Sequence, residues 1–211
     1  MALKFETIVN GPFQENCFLA FDDESRQGIF IDPGAEPERL MARAEAAQVE
    51  IVGIYNTHGH IDHVGGVAMI KETLKVPFAM HADDEFLLRS LPEQARMFGV
   101  ESAQIPEVDI HLKDGDAVEV GGLKATVIHT PGHSPGGVCF SFENAVFVGD
   151  TLFAGSIGRS DLQGGSLMTL LTSINERLLH LGDGVIALSG HGPATTIGEE
   201  RKFNPFLTGR F

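Results

Sequence analysis

The sequence predicts an α/β protein with four layers, in which two mixed β-sheets pack face to face and helices cover their outer faces. The order of the predicted elements supports this class, because strands and helices alternate first and a run of strands and helices follows. With 43% hydrophobic and 21% charged residues, the 211-residue chain has a globular composition. We find no low-complexity linker and no repeat, so residues 1–211 are predicted to form a single domain.

The first half of the chain opens with strands and then alternates helices with strands. Leu3–Val9 alternates as a strand does, and Cys17–Phe21 and Gly28–Ile31 are predicted to form a hairpin around a polar turn. Glu36–Gln48 has the apolar spacing of an amphipathic helix and a proline near its start. The short apolar run Ile51–Tyr55 has the length and the β-branched content of a strand.

Beyond this strand, a helix is predicted at Val64–Leu74 and a strand at Val76–Met80, whose proline places it near a sheet edge. Ala82–Gly99 contains two short helical patterns separated by Pro92, and a polar loop follows to Pro106. This segment is an insertion between sheet elements. A surface helical hairpin is the favoured interpretation, and a segment that overhangs a functional site is the alternative.

The second half is rich in strands. Ala117–Val120 and Leu123–His129 are predicted to form one hairpin, and Gly136–Phe142 and Ala145–Gly149 a second one. Ser166–Leu181 has the spacing of an amphipathic helix. Its inward-facing residues are predicted to be Leu167, Leu170, Leu171, Ile174, Leu178 and Leu181.

The last predicted elements are short. Val185–Ser189 is predicted as a strand, and Thr195 or Thr196 is predicted to cap a helix that runs through Lys202. Phe203–Phe211 is predicted as a C-terminal tail.

The stretch from Thr57 to Gly66 follows a predicted strand directly and carries four side chains that can bind a metal ion. They are His58, His60, Asp62 and His63. The two histidines of the first pair are two residues apart and point the same way in extended backbone, whereas the members of the second pair are adjacent and diverge. Ligands at the carboxyl end of a strand lie where open α/β sheets place their active sites. The spacing indicates one pair of ligands for each of two neighbouring metal ions.

Three further stretches place one candidate ligand beside glycine just past a predicted strand end. They supply His133 in Thr130–Ser134, Asp150 in Val148–Thr151 and His191 in Ser189–Pro193. Glycine removes side-chain bulk and permits a tight turn, so a single ligand can be aimed at one point. Each stretch alone is a weak signal, but together they add two histidines and one aspartate to the first four ligands.

The seven candidate ligands suit two borderline divalent ions. One site would take His58, His60 and His133, and the other Asp62, His63 and His191. Asp150 would bridge the two ions, because a carboxylate has two oxygens. A water or hydroxide between ions about 3.5–4 Å apart would have its pKa lowered from about 15.7 toward about 7 and be ready as a nucleophile.

Charge and apolar pattern weigh against several classes of function. A net charge of −14 disfavours a general nucleic-acid-binding surface, which needs a basic face. No apolar run reaches the length of a membrane span, and the first 30 residues show no secretory signal. Two cysteines, Cys17 and Cys139, are too few for a disulfide framework, and a reducing, cytoplasmic setting is expected.

The Thr-His-x-His-x-Asp-His motif at residues 57–63 resembles that of the metallo-β-lactamase superfamily. The same resemblance holds for His133 in Pro-Gly-His, Asp150 in Gly-Asp-Thr and His191 in Gly-His-Gly, and it extends from the first strand to Thr196. Within the superfamily, the stretches 149–161 and 190–200 are similar to the glyoxalase II group, the hydroxyacylglutathione hydrolases.

The resemblance implies an αβ/βα sandwich and two divalent ions per chain, with zinc first and iron or manganese as alternatives. It also implies hydrolysis of the thioester S-D-lactoylglutathione to glutathione and D-lactate. The bridging hydroxide would attack the thioester carbonyl, the ion of the three-histidine site would stabilise the oxyanion, and Asp62 would orient the hydroxide. No dedicated general acid is required, because a thiolate leaves readily when its conjugate acid has a pKa of about 8.5.

The longer glyoxalase II enzymes carry a helical C-terminal domain whose basic residues bind glutathione. Only about 20 residues follow His191, so the chain resembles the short glyoxalase II-like proteins, and we expect that domain to be absent. Arg159 lies in a Gly- and Ser-rich loop and is the best candidate to contact an anionic substrate, because a guanidinium suits a carboxylate. The alternative role of Arg159 is that of an ordinary loop residue.

Three alternatives to thioester hydrolysis remain. A mononuclear iron dioxygenase acting on glutathione persulfide would use fewer ligands, such as a facial triad of two histidines and one carboxylate. The full set of seven ligands favours two ions. Hydrolysis of a lactone, a β-lactam or a phosphodiester in the same site is a further alternative. A metal-binding protein without activity is the broadest one, and it predicts that removal of Asp62 leaves function intact.

Overall fold

Two six-stranded β-sheets form the framework of the computed structural model, which describes residues 2–100 and 104–209. Both sheets are mixed, because each contains parallel and antiparallel pairs. Helices pack on the outer face of each sheet, and apolar side chains fill the space between the sheets. This is the four-layer αβ/βα arrangement that the sequence predicted.

The first sheet contains the strands of the N-terminal half. In spatial order they are β1 (Leu3–Asn10), β2 (Glu15–Asp22), β3 (Gln27–Ile31), β4 (Glu50–Tyr55), β5 (Phe78–His81) and β6 (Ile110–Leu112). The pairs β1–β2 and β2–β3 are antiparallel, whereas β3, β4, β5 and β6 run parallel. The carboxyl ends of β3, β4 and β5 therefore meet at one edge of the sheet, and the loops that follow them lie side by side.

The second sheet contains the strands of the C-terminal half. In chain order they are β7 (Ala117–Val120), β8 (Leu123–His129), β9 (Val138–Ser141), β10 (Ala145–Gly149), β13 (Ile186–Ser189) and β14 (Thr195–Thr196). Their spatial order is β14-β13-β10-β9-β8-β7, and β10 pairs parallel with β13. The short strands β11 (Leu152–Phe153) and β12 (Ser156–Ile157) form a separate hairpin after β10.

Helices connect the strands and cover both sheets. They are α1 (Pro37–Ala46), α2 (Ile61–Val64), α3 (Val67–Leu74), α4 (Glu85–Arg89), α5 (Leu91–Phe98), α6 (Leu167–Ser173), α7 (Ile197–Phe203) and α8 (Pro205–Thr208). A 3₁₀ turn at Ala82–Asp84 precedes α4, and a π-helical turn at Ile174–Leu178 extends α6.

Strand β2 shows how the layers arise, because all eight of its residues are buried. Leu19 packs in one cluster with Leu40 of α1 and Ile70 of α3. Its neighbour Phe18 points the opposite way and packs against Phe147 of β10, between the two sheets. Successive strand residues face opposite sides, so one apolar strand contributes to both cores. A third cluster lies between the second sheet and α6.

The predicted helix at Val64–Leu74 is interrupted in the structure. Gly65 and Gly66 separate α2 from α3, since both glycines pack against the backbone that follows β3. A Cβ on Gly65 would lie 2.3 Å from the carbonyl oxygen of Gly34. The Gly66 N–H donates to the Pro33 carbonyl at 2.9 Å. This close approach fixes the short helix α2, which carries two candidate ligands.

Several other boundaries differ from the prediction. Leu167 was predicted to face inward and is 49% exposed, because Ser166 caps α6 and places Leu167 in its first turn. The predicted tail at Phe203–Phe211 contains the short helix α8, which Asn204 caps. Thr196, and not Thr195, caps α7, because its hydroxyl accepts from the Glu199 N–H.

Strand β5 starts after the proline of the predicted strand Val76–Met80 and lies second from the sheet edge. The edge strand is β6, which the sequence did not predict. Residues 101–103 of the predicted polar loop and residues 210–211 of the predicted tail lie outside the described part of the chain. Within the described part, no helix combines the length and apolar character needed to cross a membrane.

Candidate metal centre

Four of the candidate ligands follow strand β4, at the sheet edge where β3, β4 and β5 end. His58 and His60 precede α2, and His60 is its N-cap with an extended backbone of φ −72° and ψ 152°. Asp62 and His63 lie in the single turn of α2. The change from extended to helical backbone aims the two pairs at different points.

Three histidines from the two sheets converge on one of these points. His58 and His60 come from the loop after β4, and His133 comes from the loop between β8 and β9. The Nε2 atom of His133 lies 2.9 Å from Nδ1 of His60 and 3.2 Å from Nε2 of His58. All three residues are buried. The structure therefore brings together the three histidines that were predicted to share one site.

The second group forms beside the first. The Oδ2 atom of Asp62 lies 3.3 Å from Nε2 of His191, which follows strand β13. The same oxygen lies 3.8 Å from Nε2 of His63. His63 is fully buried, whereas Asp62 and His191 are partly exposed, so this group opens toward solvent.

Asp150 lies between the two groups, in the turn after β10. Its Oδ1 is 3.5 Å from Nε2 of His63. Its Oδ2 is 3.6 Å from Nε2 of His133 and 3.8 Å from Nε2 of His191. One carboxylate thus reaches both groups, as a bridging ligand must.

Two atoms at this centre show that the residues fit bound metal. His63 Nε2 and Asp150 Oδ1 are buried and have no hydrogen-bond partner among the described residues. A buried polar atom without a partner costs about 1–3 kcal/mol, so such atoms are rare without a role. Five imidazoles and two carboxylates are the ligands that borderline divalent ions prefer. The donors of this cluster therefore fit divalent metal ions.

Hydrogen bonds on the far side of two of the rings leave their inner nitrogens without a proton. The Nδ1–H of His133 donates to the carbonyl oxygen of Arg159 at 2.7 Å. Nδ1 of His63 lies 3.1 Å from Oδ2 of Asp32. In both rings Nε2 is left with its lone pair directed at the centre, which is how outer partners orient metal-binding histidines.

The two groups differ in their protonation. Burial and the neighbouring imidazoles hold the pKa of His58 well below its ordinary value, and they lower the pKa of His60 to about 3. Burial also acts to lower the pKa values of His63 and His191, but nearby carboxylates, Asp62 and Asp150 among them, raise both above the ordinary value. Burial acts to raise the pKa of Asp62, yet the His63 and His191 imidazoles hold it below its usual range.

Asp32 supports the centre and was missed in the sequence. Its carboxylate accepts from the Thr57 N–H and the Thr57 hydroxyl, both at 2.6 Å, and lies next to His63. It is buried and has a positive φ of 52°. The signal was present, because Asp32 follows a strand and precedes Gly34, the pattern shared by the other ligand loops.

Glu15 is a second buried carboxylate near the centre. Its Oε2 accepts from Nδ2 of Asn10 at 2.7 Å, and its Oε1 lies 3.9 Å from Nδ1 of His63. Burial raises the pKa of Glu15 well above its ordinary value, despite the opposing effect of His63. A glutamate inside a strand gives no sequence signal for such a position.

The helical part of the insertion, residues 82–98, contacts the ligand loop, so the interpretation of the segment as a plain surface hairpin was wrong. Asp84 is fully buried and accepts from the Gly59 N–H at 3.0 Å. Gln94 accepts from the Ile61 N–H at 3.0 Å. Both acceptors therefore bond backbone next to His60.

Arg159 lies beside the centre, but its side chain pairs with Asp161 and not with a ligand. Its Nε and Nη2 atoms donate to the two carboxylate oxygens of Asp161, each at 2.8 Å. Its guanidinium is exposed. The contact with the centre is made by the carbonyl oxygen, through His133.

A third group of possible ligands lies apart from the centre. His81, Asp83 and His129 have ligand atoms within reach of one another. However, the two rings are stacked at 4.4 Å with an interplanar angle of 5°, so their lone pairs lie in two parallel planes and do not meet at one point. Nε2 of His129 donates to the Pro135 carbonyl at 2.9 Å. These contacts indicate structural roles for both histidines.

Comparisons with known proteins agree with this geometry. The family model described as the Metallo-beta-lactamase superfamily matches residues 10–191. The chain is 40% identical over 217 residues to the Hydroxyacylglutathione hydrolase GloC of Haemophilus influenzae, an alignment that covers 99% of this chain and 100% of that protein.

Two solved structures are also similar over nearly the full chain. The B3 metallo-beta-lactamase BLEG-1 superimposes with a TM-score of 0.91 and 37% identity, covering 98% of this chain and 100% of BLEG-1. TTHA1623, in a di-iron-bound form, superimposes with a TM-score of 0.86 and 39% identity, covering 96% of this chain and 100% of TTHA1623. Together with the family match, these similarities show that the chain belongs to the metallo-beta-lactamase superfamily and is a metallo-hydrolase of that superfamily.

Proposed function

We propose that the protein hydrolyses a thioester of the S-D-lactoylglutathione type, giving glutathione and D-lactate, with two divalent ions. One ion would be held by His58, His60 and His133, and the other by Asp62, His63 and His191. The observation that carries the proposal is the position of Asp150, whose two oxygens face ligand nitrogens of both groups.

The choice of a thioester is supported by the similarity to GloC. That protein is named a hydroxyacylglutathione hydrolase and aligns over its full length with this chain. The stretches 149–161 and 190–200, which resemble the glyoxalase II group, lie at the centre. They contain Asp150 and His191 as well as Arg159, whose carbonyl orients His133.

The bound ions would lower the pKa of a water toward about 7 and polarise the substrate carbonyl. Asp62 would orient the attacking water through the carboxylate oxygen that does not face His191. The water oxygen would attack the thioester carbon, and the carbon–sulfur bond would break with both electrons on sulfur. No acid is needed at the sulfur, because a thiolate is stable near its pKa of about 8.5. The surplus proton would leave to solvent, because the group of Asp62, His63 and His191 is open to solvent.

Zinc is our first choice of metal, and iron or manganese are alternatives. Imidazole and carboxylate ligands suit all three ions. TTHA1623 is a relative with two irons bound, so the fold accepts iron. Metal analysis of the isolated protein distinguishes them.

A cavity beside Asp62 offers room for part of the substrate. It has a volume of about 920 Å³ and lies between the turn after β1 and helix α3. Pro12, Phe13 and Met69 give it apolar walls. We propose that it receives an apolar part of the thioester.

Arg159 would bind the anionic part of the substrate. Its guanidinium would do so either after leaving Asp161 or through the N–H groups that Asp161 does not occupy. We expect Arg159→Ala to raise KM for S-D-lactoylglutathione about fivefold and to leave kcat nearly unchanged, as for an exposed charged contact. Asp161→Asn should lower KM by releasing the guanidinium. An equal rise in KM for a thioester without carboxylates would contradict this role.

Hydrolysis of a β-lactam is a second candidate function, because the B3 metallo-beta-lactamase BLEG-1 is 37% identical to this chain. The same pair of ions could activate water toward a strained amide. A β-lactam nitrogen is a poorer leaving group than a thiolate, so this reaction needs a proton donor. Glu15 near the centre has a raised pKa, but it is buried and bonded to Asn10, so it is poorly placed to donate a proton to a substrate.

The experiment is a substrate panel assayed with metal content measured on the same sample. We expect about two ions per chain and hydrolysis of glutathione thioesters well above that of lactones, β-lactams and phosphodiesters. One iron per chain, with oxygen consumed in the presence of glutathione persulfide, would instead establish the dioxygenase. Two ions with β-lactams as the preferred substrates would favour the second candidate.

A further inference from the structure

The insertion between β5 and β6 places a carboxylate against the loops that carry His58, His60 and His133. Asp84 ends the 3₁₀ turn Ala82–Asp84, directly after strand β5. Its exposed fraction is 0%, although its neighbour Asp83 is largely exposed. Burial of a carboxylate is costly unless hydrogen bonds satisfy it, so the contacts of Asp84 indicate why it is there.

Asp84 accepts three hydrogen bonds from the two loops that carry the histidines. Its Oδ2 accepts from the Gly59 N–H at 3.0 Å and from the Ser134 hydroxyl at 2.7 Å. Its Oδ1 accepts from the Gly136 N–H at 2.6 Å. Gly59 stands between His58 and His60, and Ser134 follows His133. One side chain therefore ties together the loops of all three histidines, which come from different sheets.

The fit around Asp84 is tight on both sides. A Cβ on Gly136 would lie 2.8 Å from Cγ of Asp84, and a Cβ on Gly59 would lie 3.0 Å from its carbonyl oxygen. A side chain at Gly136 would therefore displace Asp84, and a side chain at Gly59 would have little room. Gln94 of α5 adds a further bond, from the Ile61 N–H at 3.0 Å, so the insertion bonds backbone on both sides of His60.

The Asp62, His63 and His191 group has a different support. His63 is held by Asp32, and Asp32 in turn is held by Thr57. The structure shows no direct hydrogen bond from Asp84 to these residues. A change at Asp84 should therefore weaken one metal site and spare the other.

We propose that Asp84 is a positioning residue for the metal site formed by His58, His60 and His133, and that the helical part of the insertion, residues 82–98, sets the geometry of this site. The inference rests on the metal centre of the proposed function. It concerns metal affinity at one site, so its test does not depend on which substrate is hydrolysed.

The test uses Asp84→Asn in protein loaded with two Co²⁺ ions per chain. Asparagine keeps the size of the side chain but has only one acceptor oxygen. The three donors around Asp84 use both of its carboxylate oxygens. We expect one ion to be released at a competing chelator concentration about 10–100-fold below that needed for the wild type, as for loss of an outer partner of a ligand. The other ion should keep its wild-type affinity, and added Co²⁺ should restore kcat with KM unchanged.

Asp83→Asn is the matched control, because it makes the same change one residue away at an exposed position, and it should behave as the wild type. Combining Asp84→Asn with His58→Ala identifies the site. His58→Ala alone should lose the same ion, and the added change should not alter the affinity of the ion that is left. If Asp84→Asn does not fold, Ser134→Ala removes one of the three bonds and should shift release of the same ion several-fold.

Equal loss of both ions, or unchanged release of both ions from a folded Asp84→Asn protein, would overturn the proposal. So would a melting temperature that falls while metal release stays at the wild-type value. A wild-type protein that never holds two ions would instead refute the proposed function, and the two failures are therefore distinguishable.

Discussion

At the scale of single residues, the chemistry of the centre depends on which side-chain atoms have no hydrogen-bond partner. His63 Nε2 and Asp150 Oδ1 are buried 3.5 Å apart and have no hydrogen-bond partner in the described part of the chain, whereas the outer nitrogens of His63 and His133 are engaged by Asp32 and Arg159. In a polar cluster with a purely structural role, such atoms would form hydrogen bonds with one another. Outer atoms that are bonded and inner atoms that are free are what we expect of a metal centre.

Asp150→Ala should strip metal and abolish thioester hydrolysis, because it removes the carboxylate that reaches both groups. Metal content and rate should be measured on the same preparation, with a loss in rate of at least about 10³-fold expected when the metal-activated water is lost. Cys17→Ala and Cys139→Ala should keep both ions and the rate. A variant at Asp150 that retains two ions and full activity would show that the bridging role is wrong.

Acid should release the two ions in a defined order. The raised pKa values of His63 and His191 mean that protons compete for this group already near neutrality, and each displaced proton costs about tenfold in metal affinity per pH unit below the pKa. His58 and His60 have lowered pKa values, so they stay neutral and able to bind metal at lower pH. Dialysis at a series of pH values, followed by metal analysis, should show one ion lost first and activity lost with it.

The order can be assigned with His191→Ala. This variant should lack the ion that leaves first, and its single ion should persist to the lower pH. Simultaneous release of both ions, or a rate that stays flat down to about pH 4, would contradict the assignment, because that pH is well below the ordinary histidine pKa.

At the scale of elements, the centre depends on loops that follow strands and approach one another closely. Gly34, after β3, lies against the backbone of α2, and a Cβ at this position would lie 1.5 Å from the carbonyl oxygen of Asp62. The short helix that carries Asp62 and His63 is therefore placed by the loop after a neighbouring strand.

Gly34→Ala should displace α2 and weaken the metal site of Asp62, His63 and His191 by more than tenfold. We also expect a loss of about 1–3 kcal/mol in the free energy of unfolding, as for overpacking in a dense interior. Gly184→Ala is the matched control, since a Cβ there meets no atom within 4 Å. Chelator competition and denaturant unfolding measure the two effects, and equal behaviour of the two variants would contradict this account of α2.

The elements themselves could largely be predicted, because apolar periodicity is a local signal. The strands Leu3–Asn10, Leu123–His129 and Ala145–Gly149 lie within one residue of their predictions. Strand β6 and helix α8 were missed because they have three and four residues, too few for a period to show. The exposure of Leu167 depends on where Ser166 caps α6, and spacing alone does not determine it.

The candidate site could be predicted as far as its ligands share a local pattern. All seven follow strand ends or a histidine-rich motif, and the structure brings them together. Asp84 could not be predicted, because its role depends on three donors that lie 25 to 52 positions away along the chain. Long-range partners of this kind become visible only when the two sheets are assembled.

At the scale of the whole molecule, the packing of the two sheets holds the ligands in place. His58, His60, Asp62 and His63 come from the first sheet, and His133, Asp150 and His191 come from the second. Phe147 lies between the sheets with 0% exposure and makes edge contacts with Phe5, Phe18 and Phe142. Loosening this layer would separate the two halves of the centre.

Phe147→Ala should lower the free energy of unfolding by about 3–5 kcal/mol, the usual cost of removing a buried phenylalanine ring. Phe203→Ala is the matched control, because that ring is 63% exposed, and we expect a change within about 0.5 kcal/mol. Denaturant unfolding of the two variants gives the comparison. A loss at Phe147 as small as that at Phe203 would show that the layer between the sheets does not depend on this ring.

The central claim is that seven side chains from both sheets hold two metal ions that hydrolyse a thioester. The most direct test is to measure the metal content and the S-D-lactoylglutathione hydrolysis of the wild-type protein while metal is removed and restored. We predict about two ions per chain, and a rate that disappears with the first ion lost and returns when two ions are bound. A protein that holds a single ion at saturation, or that hydrolyses the thioester at full rate without metal, would contradict the claim.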